Sequence, residues 1–253
     1  MISVVIIGSG NVAQHLISAF AQSETVEVIQ VFSRNLDIEI NNFEASKITN
    51  DFEQLKTADL YIIAVTDTAV STISNQIPFE NKLVVHTSGS VAISELSSKN
   101  RKGVFYPLQT FSKNKSVDFS EIPICLEAEN ETDYQLLEKV GKSISKKIYK
   151  INSEQRKALH VAAVFSCNFV NHFYAIGNKI CDENEIPFEI LHPLIIETAN
   201  KIKTLSPAEA QTGPAKRNDT QTINAHLNFL QDETQKEIYK ILTKSIIDNG
   251  KKL

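Results

Sequence analysis

Six residues near the start of the sequence, Gly8-Ser9-Gly10-Asn11-Val12-Ala13, have the types and spacing to hold a diphosphate. A glycine in the first place permits a tight turn. One in the third place lets a diphosphate approach the backbone, and a small sixth residue lets a helix pack closely on the strand before it. A helix beginning here offers free N–H groups and a partial positive charge to the same anion. An ordinary strand-to-helix turn is spelled with the same letters, so the flanks must decide. Before the turn runs Ile2-Ser3-Val4-Val5-Ile6-Ile7, a β-branched apolar run suited to a buried strand. After it, Val12, Leu16, Ala19 and Phe20 recur at helical spacing. Strand, glycine turn and helix together predict dinucleotide binding, with Gly8, Ser9, Gly10, Asn11 and Val12 in contact.

The next strands carry the other expected contacts. Val26 to Phe32 reads as a second strand leading into Ser33-Arg34. An NAD site usually has an acid here, accepting from the ribose 2′-hydroxyl. A guanidinium instead pairs with a 2′-phosphate, so Ser33 and Arg34 predict NADP(H); the alternative is a solvated loop arginine. Asp59 to Val65 reads as a buried strand, followed by Thr66 and Asp67, either of which suits a helix cap. Leu83 to His86 is a further strand, ending in Thr87-Ser88-Gly89-Ser90. In open α/β sheets ligands lie beyond the carboxyl ends of strands, so Val65, Thr66, Asp67, Thr87 and Ser88 are expected along the ribose and nicotinamide. Helix caps at Ser90 or Ser94 explain those serines equally well.

The strand–helix alternation continues to about residue 151. Gly103 to Phe111 reads as a strand that Pro107 should break, Ile122 to Leu126 as a strand, Thr132 to Ser145 as an amphipathic helix and Lys147 to Ile151 as a closing strand. Residues 152–253 show helical signals only, which predicts an α/β domain over 1–151 and an all-helical domain over 152–253. A helix from Glu154 to about Cys181, with Ser153 as its cap, is apolar on nearly every side, as a buried central helix is. His160, Asn168, Asn171 and His172 form a polar stripe on it, which either ties neighbouring helices together or faces a cleft. A second polar stretch, Gln211 to Asp219, precedes a helix expected from Thr220 to Asn249. Thr222 and His226 share one face of that helix, Asp219 or Thr220 can cap it, and Arg217 suits a substrate carboxylate or phosphate. Solvated charges and caps explain each of these singly.

Composition narrows the classes. The net charge is −4 and no run of basic residues occurs, which argues against nucleic acid or an anionic membrane as main partner. Three scattered cysteines, Cys125, Cys167 and Cys181, give neither a disulfide framework nor metal-ligand spacing and suggest a reducing compartment. A strand beginning at Ile2 leaves no room for a signal peptide, and no apolar run approaches about 20 residues. The expectation is a soluble cytoplasmic protein without a metal.

Taken together, these motifs resemble the Rossmann-like oxidoreductases that carry a helical domain of unknown function 2520. That group is related to β-hydroxyacid dehydrogenases, pyrroline-5-carboxylate reductase and F420-dependent NADP reductase. The resemblance covers nearly the whole chain. It rests on the glycine turn, Ala64-Val65-Thr66-Asp67, Val85 to Ser90, Tyr106-Pro107-Leu108-Gln109-Thr110-Phe111 and His160 to Asn168. Thr212 to Asp219 with Thr222, His226 and Leu227 is its most specific part. It implies NADP binding and a homodimer through the helical domains. Substrate contacts are expected at Ser88, Gln109, Thr212, Arg217, Asp219, Thr222 and His226. Two positions depart from it. Asn218 stands where the family usually has Gly, and Val164 stands where β-hydroxyacid dehydrogenases carry a catalytic Lys four residues before the Asn. The expected activity is reduction of a small carbonyl or imine acid such as ketopantoate, with His160 giving the proton and Asn168 orienting the carbonyl. The competing expectation is a protein that senses NADPH or a metabolite without turnover.

Overall fold

The parallel core of the fold follows from strands apolar on both faces. In β1 (Ile2–Ile7), Val4 and Ile6 enter one apolar layer with Ala13, Leu16 and Phe20 of α1 (Asn11–Phe20). Val5 and Ile7 alternate into the opposite layer with Val70 and Ile77. The structure is a computed structural model describing residues 1–41, 43–113 and 115–250. Its sheet adds β2 (Val26–Phe32), β3 (Ile48–Thr49), β4 (Leu60–Ile63), β5 (Leu83–His86), β6 (Arg101–Pro107), β7 (Ile124–Ala128) and β8 (Ile148–Lys150). The order is β3-β2-β1-β4-β5-β6-β7-β8, with β7 antiparallel to β6 and the other pairings parallel. Strand order reverses at β1, so β1 and β4 flank the crevice in which a doubly wound Rossmann sheet binds its ligand. Helices α2 (Val70–Gln76) and α3 (Glu131–Lys142) complete the layers.

Several boundaries differ from the sequence expectation. Pro107 does not break the ladder. It is the last residue of β6, still in register with Ile124, where a missing N–H costs little. Only a short 3₁₀ turn, Ile93–Glu95, follows Ser90, and Ala92 precedes it without a side-chain cap. Helix α4 (Ser153–Ala163) is capped by Asn152 rather than Ser153, in a reciprocal capping box with Gln155. The compact units are Met1–Val164 and a second beginning at Phe165, so α4 belongs with the sheet.

In the second unit, a π-helical turn (Val164–Phe169) leads into α5 (Val170–Glu183), followed by α6 (His192–Lys201), α7 (Pro207–Ala210), α8 (Thr220–Phe229) and α9 (Glu233–Gly250). The single helix expected over Thr220–Asn249 is two. Leu230 is extended, and Asp232 restarts the helix by accepting from the Gln235 N–H. The helix expected to be buried is uncovered within the chain, with Phe165 64 % and Val161 52 % exposed. By length and composition, Ser153–Glu183 is apolar enough to cross a membrane. Its first turns nevertheless pack on the sheet through Arg156, which is 1 % exposed.

Candidate nucleotide-binding and catalytic site

The glycine turn is built for close approach. Gly8 has φ +123°, and a Cβ there would lie 2.1 Å from the Ala64 carbonyl oxygen, so only glycine lets β1 pass β4 this closely. Gly10 precedes α1 with no side-chain cap on the helix, and nothing lies within 4 Å of where its Cβ would be. No side chain caps the first N–H groups of α1, which leaves them available to a diphosphate. Ser9 and Ser33 hydroxyls meet at 2.9 Å, and Ser33 also donates to the Asn35 carbonyl at 2.7 Å. Ser33, 2 % exposed, thus joins the loops after β1 and β2, and Arg34 is left as the outward side chain. Asn11 donates to the Phe111 carbonyl at 3.2 Å, which lays the loop after β6 across the start of α1, beside half-buried Val12.

At the ends of β4 and β5 the backbone is held by side chains. Val65 is half-buried; Thr66 and Asp67 are exposed, and the Ser90 hydroxyl donates to the Asp67 carboxylate. Neither Thr66 nor Asp67 caps the following turn through its side chain. The Thr87 N–H donates to the Ile63 carbonyl at 3.1 Å. The Ser88 hydroxyl accepts from the N–H groups of Ser90 (3.1 Å) and Val91 (3.0 Å), and the Ser88 N–H donates to His86 Nδ1 at 3.1 Å. His86 is fully buried. Burial, with the Arg156 charge second, holds its imidazole down to about 4, so at neutral pH the ring is uncharged and serves as an acceptor. Gln109 folds back on its own loop, accepting from the Thr110 N–H at 2.8 Å.

The centre of this face is Gly89. A Cβ there would lie 2.6 Å from His160 Nδ1 and 2.9 Å from Tyr106 Cζ. Tyr106 Oη and His160 Nδ1 are 3.2 Å apart, so the two rings form a hydrogen-bonded pair over the glycine. Helix α4 brings His160 there by an anchor one turn earlier. The Arg156 guanidinium bonds Glu127 of β7 and the Val91 carbonyl, and the Ser153 hydroxyl donates to Glu127 at 2.8 Å. Residues 156 and 160 share a helix face, so fixing one aims the other. Burial pushes the Tyr106 phenol up to about 12, which keeps it protonated.

Within the helical unit the expected site residues divide. Asn168 is exposed on the π-helical turn, a feature frequent at functional sites. Thr212 and Arg217 are exposed. Asp219 caps α8, accepting from the Thr222 N–H at 3.0 Å and the Thr222 hydroxyl at 2.8 Å, and these bonds hold its carboxyl below the usual range. His226 Nδ1 lies 2.8 Å from Tyr239 Oη, on the wall of an apolar cavity of about 330 Å³ shared with Phe173 and Phe229. Thr222 and His226 thus have separate partners despite their common face. Asn218 has φ +53°, a left-handed conformation asparagine tolerates better than most residues.

Residues 3–89 match the family model of coenzyme F420-dependent NADP oxidoreductases, and residues 122–246 match the domain of unknown function 2520. A Bacteroides fragilis protein classed as an NADP oxidoreductase is 37 % identical over 98 % of each chain, with a TM-score of 0.87. The chain belongs to this NADP oxidoreductase family. More distant structures share the fold. A Thermotoga maritima protein is 20 % identical over 98 % of each chain, with a TM-score of 0.74. Pyrroline carboxylate reductase of Plasmodium falciparum, solved with NADP bound, is 14 % identical over 99 % of this chain and 97 % of its own, with a TM-score of 0.62. No curated protein matches the sequence. For an NADP oxidoreductase the open face of Gly10 and the backbone contact at Gly8 fit a nicotinamide dinucleotide. Tyr106 and His86 are the members of this strand-end cluster that sequence reasoning missed; only the position of each at a strand's carboxyl end signals it.

Proposed function

We propose that the protein is an NADP(H)-dependent reductase of a small carbonyl or imine acid, a 2-keto acid such as ketopantoate being one candidate. The observation that carries this is the Tyr106–His160 pair seated on Gly89, at the carboxyl edge of a dinucleotide-binding sheet. When bound, the cofactor supplies the hydride. Gly8, Ser9, Gly10, Asn11 and Val12 hold its diphosphate, Arg34 its 2′-phosphate, and the segments Val65–Asp67 and Thr87–Ser88 flank the reacting end. His160 is the source of the proton. Asn168 and Arg217 are exposed polar side chains of the helical unit. NADPH oxidation measured across 2-keto acids and cyclic imine acids tests this reading. Absence of oxidation with every compound would favour the non-catalytic sensor, which Val164 in place of the β-hydroxyacid dehydrogenase lysine also fits.

NADPH is expected to bind at least tenfold more tightly than NADH, a difference of about 1.4 kcal/mol. One charge-assisted contact from Arg34 supplies about 1.5–3 kcal/mol. Titration should show the preference inverted in Arg34→Asp; equal dissociation constants in the native protein would contradict the assignment.

The same reading includes a homodimer through the helical unit. Ile190 (64 %), Leu194 (62 %) and Ile241 (67 %) are exposed there, apolar surface that a second copy would cover. Sedimentation at micromolar concentration should give twice the chain mass, and a monomer would count against it.

A further inference from the structure

We infer that Tyr106 hands the proton to the substrate, with His160 behind it as the source. The inference rests on the reductase reading above and names the group that touches the substrate. Strands β5 and β6 run parallel with His86 opposite Val104. Two residues after each stand Ser88, just past the end of β5, and Tyr106, so the phenol belongs to the same carboxyl edge as the Thr87–Ser88 segment. Ligands of such sheets sit beyond this edge. A phenol hydroxyl both donates and accepts. His160 Nδ1, at 3.2 Å, takes one of these roles, and among the described residues no second partner is recorded for Tyr106 Oη. The remaining role is free for a substrate oxygen or nitrogen.

The step balances as follows. Hydride adds to the substrate carbon, and the π pair of the C=O or C=N bond moves to oxygen or nitrogen. That atom takes the Tyr106 Oη proton, while the phenol oxygen receives the Nδ1 proton of a protonated His160. His160 is left neutral with its proton on Nε2 and is recharged from water, its ring being half-exposed. Burial raises the phenol to about 12, so a free phenolate is unfavourable and the two transfers belong together. Gly89 makes the pair possible, since any side chain there would enter both rings.

The test compares Tyr106→Phe, His160→Gln and the double variant with the native full-length protein, using NADPH and whichever 2-keto or imine acid the native protein reduces. The inference expects Tyr106→Phe to lower kcat by about 10²–10⁴-fold, the range for a lost proton donor, at every pH. NADPH affinity and Tm should stay near native, which excludes misfolding as the cause. The double variant should be no slower than Tyr106→Phe, because residues acting as one unit are not additive. The limb of the kcat/KM profile that falls as pH rises should disappear in His160→Gln. Asp67, Cys125 and Arg156, the charged or titratable groups acting on the Tyr106 phenol, all remain in both variants. Native turnover in Tyr106→Phe, or losses that multiply in the double variant, would overturn the inference. If the native protein reduces nothing in the panel, the reductase reading fails first and takes this inference with it.

Discussion

Replacing His160 by alanine is expected to lower turnover by about 10²–10⁴-fold and leave NADPH affinity near native. At 1.36 kcal/mol per tenfold, that is about 3–5 kcal/mol of transition-state stabilisation. The separation of the two effects follows from where the residues lie. On the proposed reading the diphosphate lies at Gly8, Gly10 and the start of α1 and the 2′-phosphate at Arg34, residues apart from the imidazole. His160 instead contacts Tyr106 and Gly89. The ring is half-exposed, so removing it opens no sealed cavity and should move Tm little. Single-turnover rates with saturating NADPH, beside a cofactor titration and a thermal melt, make the comparison. A native rate would remove His160 from the mechanism. An equal loss of rate and cofactor affinity would make it a structural residue of the nucleotide site.

The residues legible in the sequence are those whose need is local. Gly8 requires a positive φ and contact with a neighbouring strand, and glycine, the one residue without a Cβ, is written in the sequence itself. The parallel sheet was legible because strands buried on both faces must be apolar throughout, as Val4 to Ile7 are. Tyr106 was not legible. Its meaning comes from His160, 54 residues away in sequence, and from the absence of a side chain at Gly89 between them. Ser33 was read as a cofactor contact, yet its hydroxyl is engaged by Ser9 and the Asn35 carbonyl, a pairing that needs two loops to meet. Thr222 and His226 show the limit of helical spacing. It placed them on one face but could not reveal that a cap takes the first and Tyr239 the second. The helix from Glu154 was legible as apolar all round, but nothing in one chain's sequence says what covers it.

The position of His160 depends on an ion pair, and Glu127→Ala should expose that dependence by destabilising the protein by about 3–5 kcal/mol. This is the effect expected when a buried charge loses its partner. The Arg156 side chain is 1 % exposed and that of Glu127 15 %, so the guanidinium cannot turn to water when the carboxylate is removed. Its Nε already lacks a hydrogen-bond partner, which leaves little to compensate the loss. Glu127 itself keeps some contact with solvent, which places the expected value toward the lower end of the range. Urea unfolding should show the midpoint falling with the slope unchanged. Replacing both partners at once, Glu127→Leu with Arg156→Met, removes the desolvation cost together with the attraction and should recover much of the stability. It should not recover turnover. Without the guanidinium tying α4 to β7 and to the Val91 carbonyl, the first turn of α4 is free to shift, and the His160 ring one turn later shifts with it. A double variant that is stable and binds NADPH, yet reduces substrate slowly, would show that the pair serves to aim the helix. One that is stable and fully active would show that the capping box at Asn152 and packing on the sheet hold α4 without it.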